Sequence, residues 1–167
     1  MWNRRWFLEA AHRQVNSSRS SKSKCSVISI DVDHFKKFND HHGHDAGDLV
    51  LRALGTEMIS FFTERCAPCR LGGEEFIVLC DGLTEDETFA LAEEFRLRIS
   101  SLSVKYSGEA LPKITISSGV AVWPEDGMHV ADLVKAADLA LYKAKELGRN
   151  QVQRYSDGDS EKAPRSK

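Results

Sequence analysis

The chain has no apolar run approaching the ~20 residues that span a bilayer. Its mixed, charged start from Met1 to Gln14 has no signal-peptide pattern. It also lacks a basic excess. Lys and Arg total 23 against 25 Asp and Glu, a formal net charge of -2, so nucleic acid has no electrostatic footprint as main partner. A small anionic ligand stays compatible, because a few local donors override the overall sign. Four cysteines, Cys25, Cys66, Cys69 and Cys80, are too sparse for a disulfide scaffold, and reduced thiols in a cytoplasmic setting are expected. No internal repeat is visible. What remains is an ordinary globular composition, 41% hydrophobic and 29% charged over 167 residues, suited to one domain with a substantial core. The abrupt start at Met1-Trp2 and the polar end suggest a domain cut from a longer protein.

Periodicity divides the chain. Trp6 to Val15 reads as a short helix with Phe7, Ala10 and Ala11 on one side, followed by a Ser/Lys-rich loop, Ser17 to Lys24. Cys25 to Asp33 alternates as a strand, with Ile28, Ile30 and Val32 on one face and Val27, Ser29, Asp31 and Asp33 on the other. Phe35 to His42 suits one or two helical turns stopped by Gly43. Helical spacing then runs from about Ala46 to Phe62. Two strands, Cys69–Leu71 and Phe76–Cys80, flank Gly72-Gly73, a tight-hairpin signal. Thr84 and Glu87 form a capping box opening a helix with Ala92, Phe95 and Ile99 inward. Val104–Tyr106 and Lys113–Trp123 suggest a β-hairpin. A last helix, about Val130 to Leu147, ends at Gly148, with a short strand from Gln151 to Tyr155. Residues 1–155 are expected to form the domain, and 156–167 a polar disordered tail. The order argues for an α+β fold, a mainly antiparallel central sheet flanked by helices.

Four clusters carry chemistry. Asp31-Val32-Asp33-His34-Phe35-Lys36 places carboxylates at a strand end before lysines. That suits magnesium, which takes one or two carboxylates with phosphate and water oxygens; a polar strand end with a solvated turn is the plainer reading. Gly72-Gly73-Glu74-Glu75-Phe76 lets phosphates approach the backbone, or is an acidic hairpin tip facing water. Asn39, His44 and Asp48 include an amide and a carboxylate able to read guanine, although Asp45 or Asp48 could instead cap a helix. Lys145 and Arg149, four apart, suit either phosphates or a helix C-terminus.

Together these clusters resemble the GGDEF diguanylate cyclase domain in its GGEEF form. The resemblance runs from Asn3-Arg4-Arg5 through Asp31-Val-Asp-His-Phe-Lys36, Asn39-Asp, Gly43-His and Gly47-Asp48. It continues through Arg70-Leu-Gly-Gly-Glu-Glu-Phe76, Thr115-Ile-Ser-Ser-Gly119 and Ala137-Asp-Leu-Ala-Leu-Tyr-Lys-Ala-Lys145 to Gly148-Arg-Asn150. It implies a core similar to a nucleotide-polymerase palm and the condensation of two GTP into cyclic di-GMP with release of two pyrophosphates. By resemblance, Asp31, the Val32 carbonyl and Glu74 would hold magnesium, or manganese in its place. Glu74, with Glu75 supporting, is the catalytic candidate. Asn39, His44 and Asp48 would recognise guanine, and Asp48 favours GTP over adenine nucleotides. Phe35, Lys36, Lys145 and Arg149 would meet the phosphates. The resemblance also implies a homodimer, each domain binding one GTP, and an N-terminal sensory or receiver module in the parent protein, which could be membrane-anchored although this domain has no membrane contact of its own.

Two departures matter. The Asp-x-Leu-Thr-Gly stretch usual before Asn-Arg-Arg is replaced by Met1-Trp2, which bears on the fragment's activity. The Arg-x-x-Asp product-inhibition positions fall on Thr63 and Cys66, so that brake is expected to be absent. Cys66-Ala-Pro-Cys69 is a CxxC with no second pair and no helix start, so a redox or metal role is disfavoured. The rival readings are a nucleotide-binding regulatory domain, a monomeric-nucleotide cyclase and a pure dimerisation module.

Overall fold

A computed structural model describes residues 1–161. Six strands form the central sheet: β1 (Trp2–Asn3), β2 (Cys25–Val32), β3 (Cys66–Gly72), β4 (Glu75–Asp81), β7 (Ile116–Trp123) and β8 (Val152–Arg154), in the order β1-β3-β4-β2-β7-β8. The inner pairings are antiparallel and the two edge pairings parallel. The α+β arrangement is the one expected. Every residue of β2 and β7 is buried, because helices cover both faces of the sheet.

On one face, Ile28, Ile30 and Val32 pack with Val50, Leu54 and Met58 of α3 (His44–Phe61) and with Phe95 and Ile99 of α4 (Glu85–Ser100). On the other, Val27, Ile77 and Ala121 pack with Phe7, Ala11 and Val15 of α1 (Arg4–Ser21) and with Leu133 and Ala137 of α5 (Val130–Glu146). The alternation read along Cys25 to Asp33 thus divides two cores. Gly119 lets β7 and α5 meet closely: a Cβ there would lie 2.1 Å from the Ala137 carbonyl oxygen and 2.2 Å from the Leu141 nitrogen.

Three expectations change. The Ser/Lys stretch is not a loop: α1 runs to Ser21, with Ser18 buried and the Ser21 hydroxyl bonded back to the Ser17 carbonyl. The segment at Val104–Tyr106 does not pair with Lys113–Trp123. It forms a two-rung hairpin, β5 (Lys105–Tyr106) with β6 (Glu109–Ala110), while β7 pairs with β2 and β8. The tail expected from Ser156 begins instead with a 3₁₀ turn, Asp157–Glu161. There Asp159 is buried, accepts from the Ser156 amide and pairs with Lys143. Residues 162–167 lie outside the described residues.

Candidate active site

Antiparallel register brings the acidic clusters together. Asp31, at the end of β2, pairs directly with Glu75 at the start of β4. The hairpin between β3 and β4 turns at Gly72 (φ 152°) and Gly73 (φ 51°), conformations that glycine adopts without Cβ strain. Arg70 fixes the turn, donating through two guanidinium nitrogens to the Gly73 carbonyl at 3.1 and 2.8 Å. Glu74 is half-buried and Glu75 exposed at this tip.

Asp31 is only 8% exposed. Burial pushes its carboxyl above the usual aspartate range; the Lys145 ammonium, 3.1 Å away, draws it back, and Glu74 and Glu75 push it up further. Two glutamates therefore set their charge against Asp31, opposed by the lysine that pairs with it. A cleft of about 410 Å³ opens here, lined among others by Arg4, Asp31, Glu75, Asp138, Tyr142 and Lys145. Arg4 and Asp138 lie in stretches that carry the sequence resemblance, yet nothing in the sequence assigns them a role. Their signal was position alone, and the fold supplies the meaning: Ser29, in mid-β2, donates to Asp138 at 2.7 Å and anchors α5 beside Asp31.

Asp33 has a different environment. It accepts from the Thr115 hydroxyl at 2.7 Å, the Ser117 hydroxyl at 2.6 Å and the Asn150 amide at 3.0 Å. These donors satisfy the buried carboxylate and pin the left-handed turn at Arg149 and Asn150. Arg149 is exposed on that turn, just beyond Lys145.

The remaining residues gather on α2 (Phe35–His42) and the start of α3. Phe35 is buried; Lys36, His44 and Asp48 are exposed. Helix α2 begins with no side-chain cap and no acidic residue in its first turn, leaving amide groups and the positive end of its dipole available. Asn39 Oδ1 is buried without a hydrogen-bond partner, and it lies where a Cβ on Gly47 would sit, at 1.8 Å. Neither Asp45 nor Asp48 caps α3 through its side chain, so capping does not account for Asp48. Among the described residues, no hydrogen bond or ion pair joins this group to the Asp31 cleft. The two are linked through the short passage from β2 into α2.

Residues 1–151 match the family described as diguanylate cyclase, GGDEF domain. The chain belongs to the GGDEF family. This GGDEF domain is 38% identical over 138 residues to diguanylate cyclase A of Treponema denticola, covering 83% of this chain and 37% of that protein. It is 33% identical over 154 residues to the cyclic di-GMP phosphodiesterase NbdA of Pseudomonas aeruginosa, covering 92% of this chain and 19% of that protein. Its fold is similar to the active GGEEF domain of a diguanylate cyclase from Vibrio cholerae, with a TM-score of 0.85 and 33% identity over 93% of this chain and 98% of that one. The chain spans less than half the length of the curated relatives it matches.

The donor set suits a hard divalent cation. Among the described residues, no three carboxylate, His or Cys side chains enclose a metal by themselves. Magnesium nevertheless needs only one or two carboxylates when phosphate oxygens and water complete its shell, and Asp31 opposite Glu75 offers them. The charge that Glu74 and Glu75 set against Asp31 is what such a cation would relieve.

Proposed function

We propose that this domain binds one GTP and, facing a second copy across both nucleotides, condenses two GTP into cyclic di-GMP with release of two pyrophosphates. The observation carrying this reading is the register that sets buried Asp31 opposite Glu75, beside Glu74 and against Lys145. Asp31, the Val32 carbonyl and Glu74 would hold magnesium, or manganese, which when bound neutralises charge on the leaving pyrophosphate and favours ionisation of the ribose 3′-hydroxyl. That oxygen attacks the α-phosphorus as the bond to pyrophosphate breaks. Its proton passes to a carboxylate at the hairpin, Glu74 with Glu75 supporting it. Repeating the step on the second nucleotide closes the ring.

The other residues position the substrate. The amides at the uncapped start of α2, from Phe35 and Lys36, face phosphate oxygens, with Lys145 and Arg149 adding charge from the end of α5. Asn39 and Asp48, with His44 alongside, read guanine: the carboxylate accepts from the ring N–H and exocyclic amine, and the partnerless Asn39 oxygen has acceptor capacity to spare. The cleft's opening onto the surface favours closure by a second domain. Among the described residues no helix is long and apolar enough to cross a membrane, and the use of GTP points to the cytoplasm. The greater length of the relatives fits a parent protein with a further regulatory module, for which the N-terminal sensory or receiver module implied by the resemblance is the proposal. Thr63 and Cys66 in place of Arg and Asp remove the charged pair of the usual inhibitory site, so product should not inhibit at submicromolar concentration.

The test is incubation of concentrated protein with GTP and magnesium, followed by mass spectrometry of the products. Cyclic di-GMP made by wild type and lost in Glu74→Gln is the expected result. GTP binding without pyrophosphate release, even in an enforced dimer, would favour a regulatory nucleotide-binding domain.

A further inference from the structure

The CxxC spacing directs attention to Cys66 with Cys69, but the strand pleat separates them. Residues three apart on β3 face opposite sides of the sheet; Cys66 lies in the core with Phe62 and Phe95, and Cys69 in the core with Phe7 and Ile77. The sulfur that Cys66 meets belongs to Cys80, directly opposite on β4, with the two Sγ atoms 2.8 Å apart. The flanking hydrogen bonds define the pairing. The Asp81 amide donates to the Arg65 carbonyl and the Cys66 amide to the Thr63 carbonyl, so Cys66 and Cys80 are a non-hydrogen-bonded antiparallel pair. Such pairs hold their Cα atoms ~4.5 Å apart with side chains close, at the short end of the ~4.4–6.8 Å that disulfides span.

We propose that Cys66 and Cys80 are a redox-sensitive thiol pair, which a two-electron oxidant of the peroxide class converts to a disulfide joining β3 to β4 and a dithiol reductant reopens. The steps balance. The Cys66 sulfur attacks a peroxide oxygen, the O–O bond breaks, and a sulfenic acid and one water result. The Cys80 sulfur then attacks the Cys66 sulfur, the S–O bond breaks, and a second water leaves. Two thiols and one hydrogen peroxide thus become one disulfide and two waters.

The order of attack follows from access and acidity. Cys66 is 8% exposed, beside the exposed turn Thr63 to Arg65, whereas Cys25, Cys69 and Cys80 are each 0% exposed. The sulfur–sulfur hydrogen bond draws the Cys66 thiol below its ordinary pKa against the effect of burial, and Arg65 assists. Burial pushes Cys80 well above its ordinary value, and pushes Cys25 and Cys69 up to about 12. Cys66 is therefore the attacking thiol and Cys80 the resolving one. The loop it closes, residues 66–80, contains Glu74 and Glu75, so oxidation would restrain the hairpin bearing both.

The test uses the whole chain, reduced, desalted, titrated with hydrogen peroxide, blocked with N-ethylmaleimide in denaturant and cut with trypsin without reduction. The expected product is peptide Cys66–Arg70 linked to peptide Leu71–Arg96, with fragment ions placing the maleimide on Cys69. Dithiothreitol should reverse the link, and the oxidised protein should melt higher than the reduced. In the reduced protein, maleimide should label Cys66 at least about tenfold faster than Cys25 or Cys69. Cys66→Ser should abolish the link and Cys69→Ser preserve it. Should Cys80→Ser fail to fold, the wild-type and Cys69→Ser maps still decide. A Cys66–Cys69 bridge, links only between molecules, or Cys66 advancing to sulfinic acid without a bridge would each overturn the proposal. Nothing in this readout requires GTP turnover, so its failure and that of the cyclase reading are distinguishable.

Discussion

Gly119→Ala tests how tightly the fold holds the cleft. The added Cβ would lie 2.1 Å from the Ala137 carbonyl oxygen and 2.2 Å from the Leu141 nitrogen, whereas real Cβ atoms essentially never come within 3.0 Å. Both obstacles are backbone atoms of α5, so no rotamer change relieves them. The helix must retreat by about 0.9 Å, the difference between 3.0 and 2.1 Å. Overpacking typically costs ~1–3 kcal/mol, and two simultaneous backbone contacts put this case at the upper end, near ~3 kcal/mol. For a domain of this size each kcal/mol lowers Tm by ~2–4 °C, so a fall of roughly 6–12 °C is expected. Lys145 is one turn beyond Leu141, and a retreat of that size takes its 3.1 Å contact with Asp31 to the edge of ion-pair range. Gly55→Ala in α3 is the control. Its Cβ would meet only the flexible end of Met1, at 3.0 Å, while the helix interior gains ~0.5–1 kcal/mol from losing a glycine. The same substitution at two buried glycines should thus change Tm in opposite directions, read by differential scanning fluorimetry or circular dichroism. A Gly119→Ala protein melting at or above wild type would refute the close-approach argument.

Two further predictions follow from the carboxylates of the β2 end. Asp31 has its pKa raised in the folded state, so its favourable contribution to stability is present at low pH and is lost as pH rises through the folded value. Asp31→Asn should therefore melt higher than wild type at neutral pH, by a margin that shrinks on acidification, while losing turnover; a margin that grows on acidification would reverse the sign and the argument. Asp33→Ala leaves Thr115, Ser117 and Asn150 without their shared acceptor. Hydrogen bonds to a charged group are worth ~1.5–3 kcal/mol each and the hydroxyls can find other partners, so a loss of ~3–5 kcal/mol in denaturant melts is expected, and a loss below ~1 kcal/mol would show that these bonds are not holding the turn.

What the sequence reveals depends on how local its cause is. The stop of α2 at Gly43, the Thr84–Glu87 capping box and the Gly72-Gly73 turn are each set by a few neighbouring residues, and each stands as read. Strand partnership is not local: nothing near β7 in the sequence names β2 and β8 as its neighbours, and the CxxC spacing hides the pairing of Cys66 with Cys80. Asp31 and Asp33 make the point most sharply for the site. Two residues apart on one strand face, they are indistinguishable to periodicity, and either could be a metal ligand. The fold separates them by what it brings alongside. Asp33 receives three donors and is satisfied, whereas Asp31 receives one lysine and the charge of two glutamates. A buried carboxylate with its full complement of donors stabilises the chain that supplies them. One left facing like charge raises the energy of the folded domain, and a cation shared with a bound phosphate would recover that cost. This asymmetry, invisible along the strand, distinguishes Asp31 from Asp33.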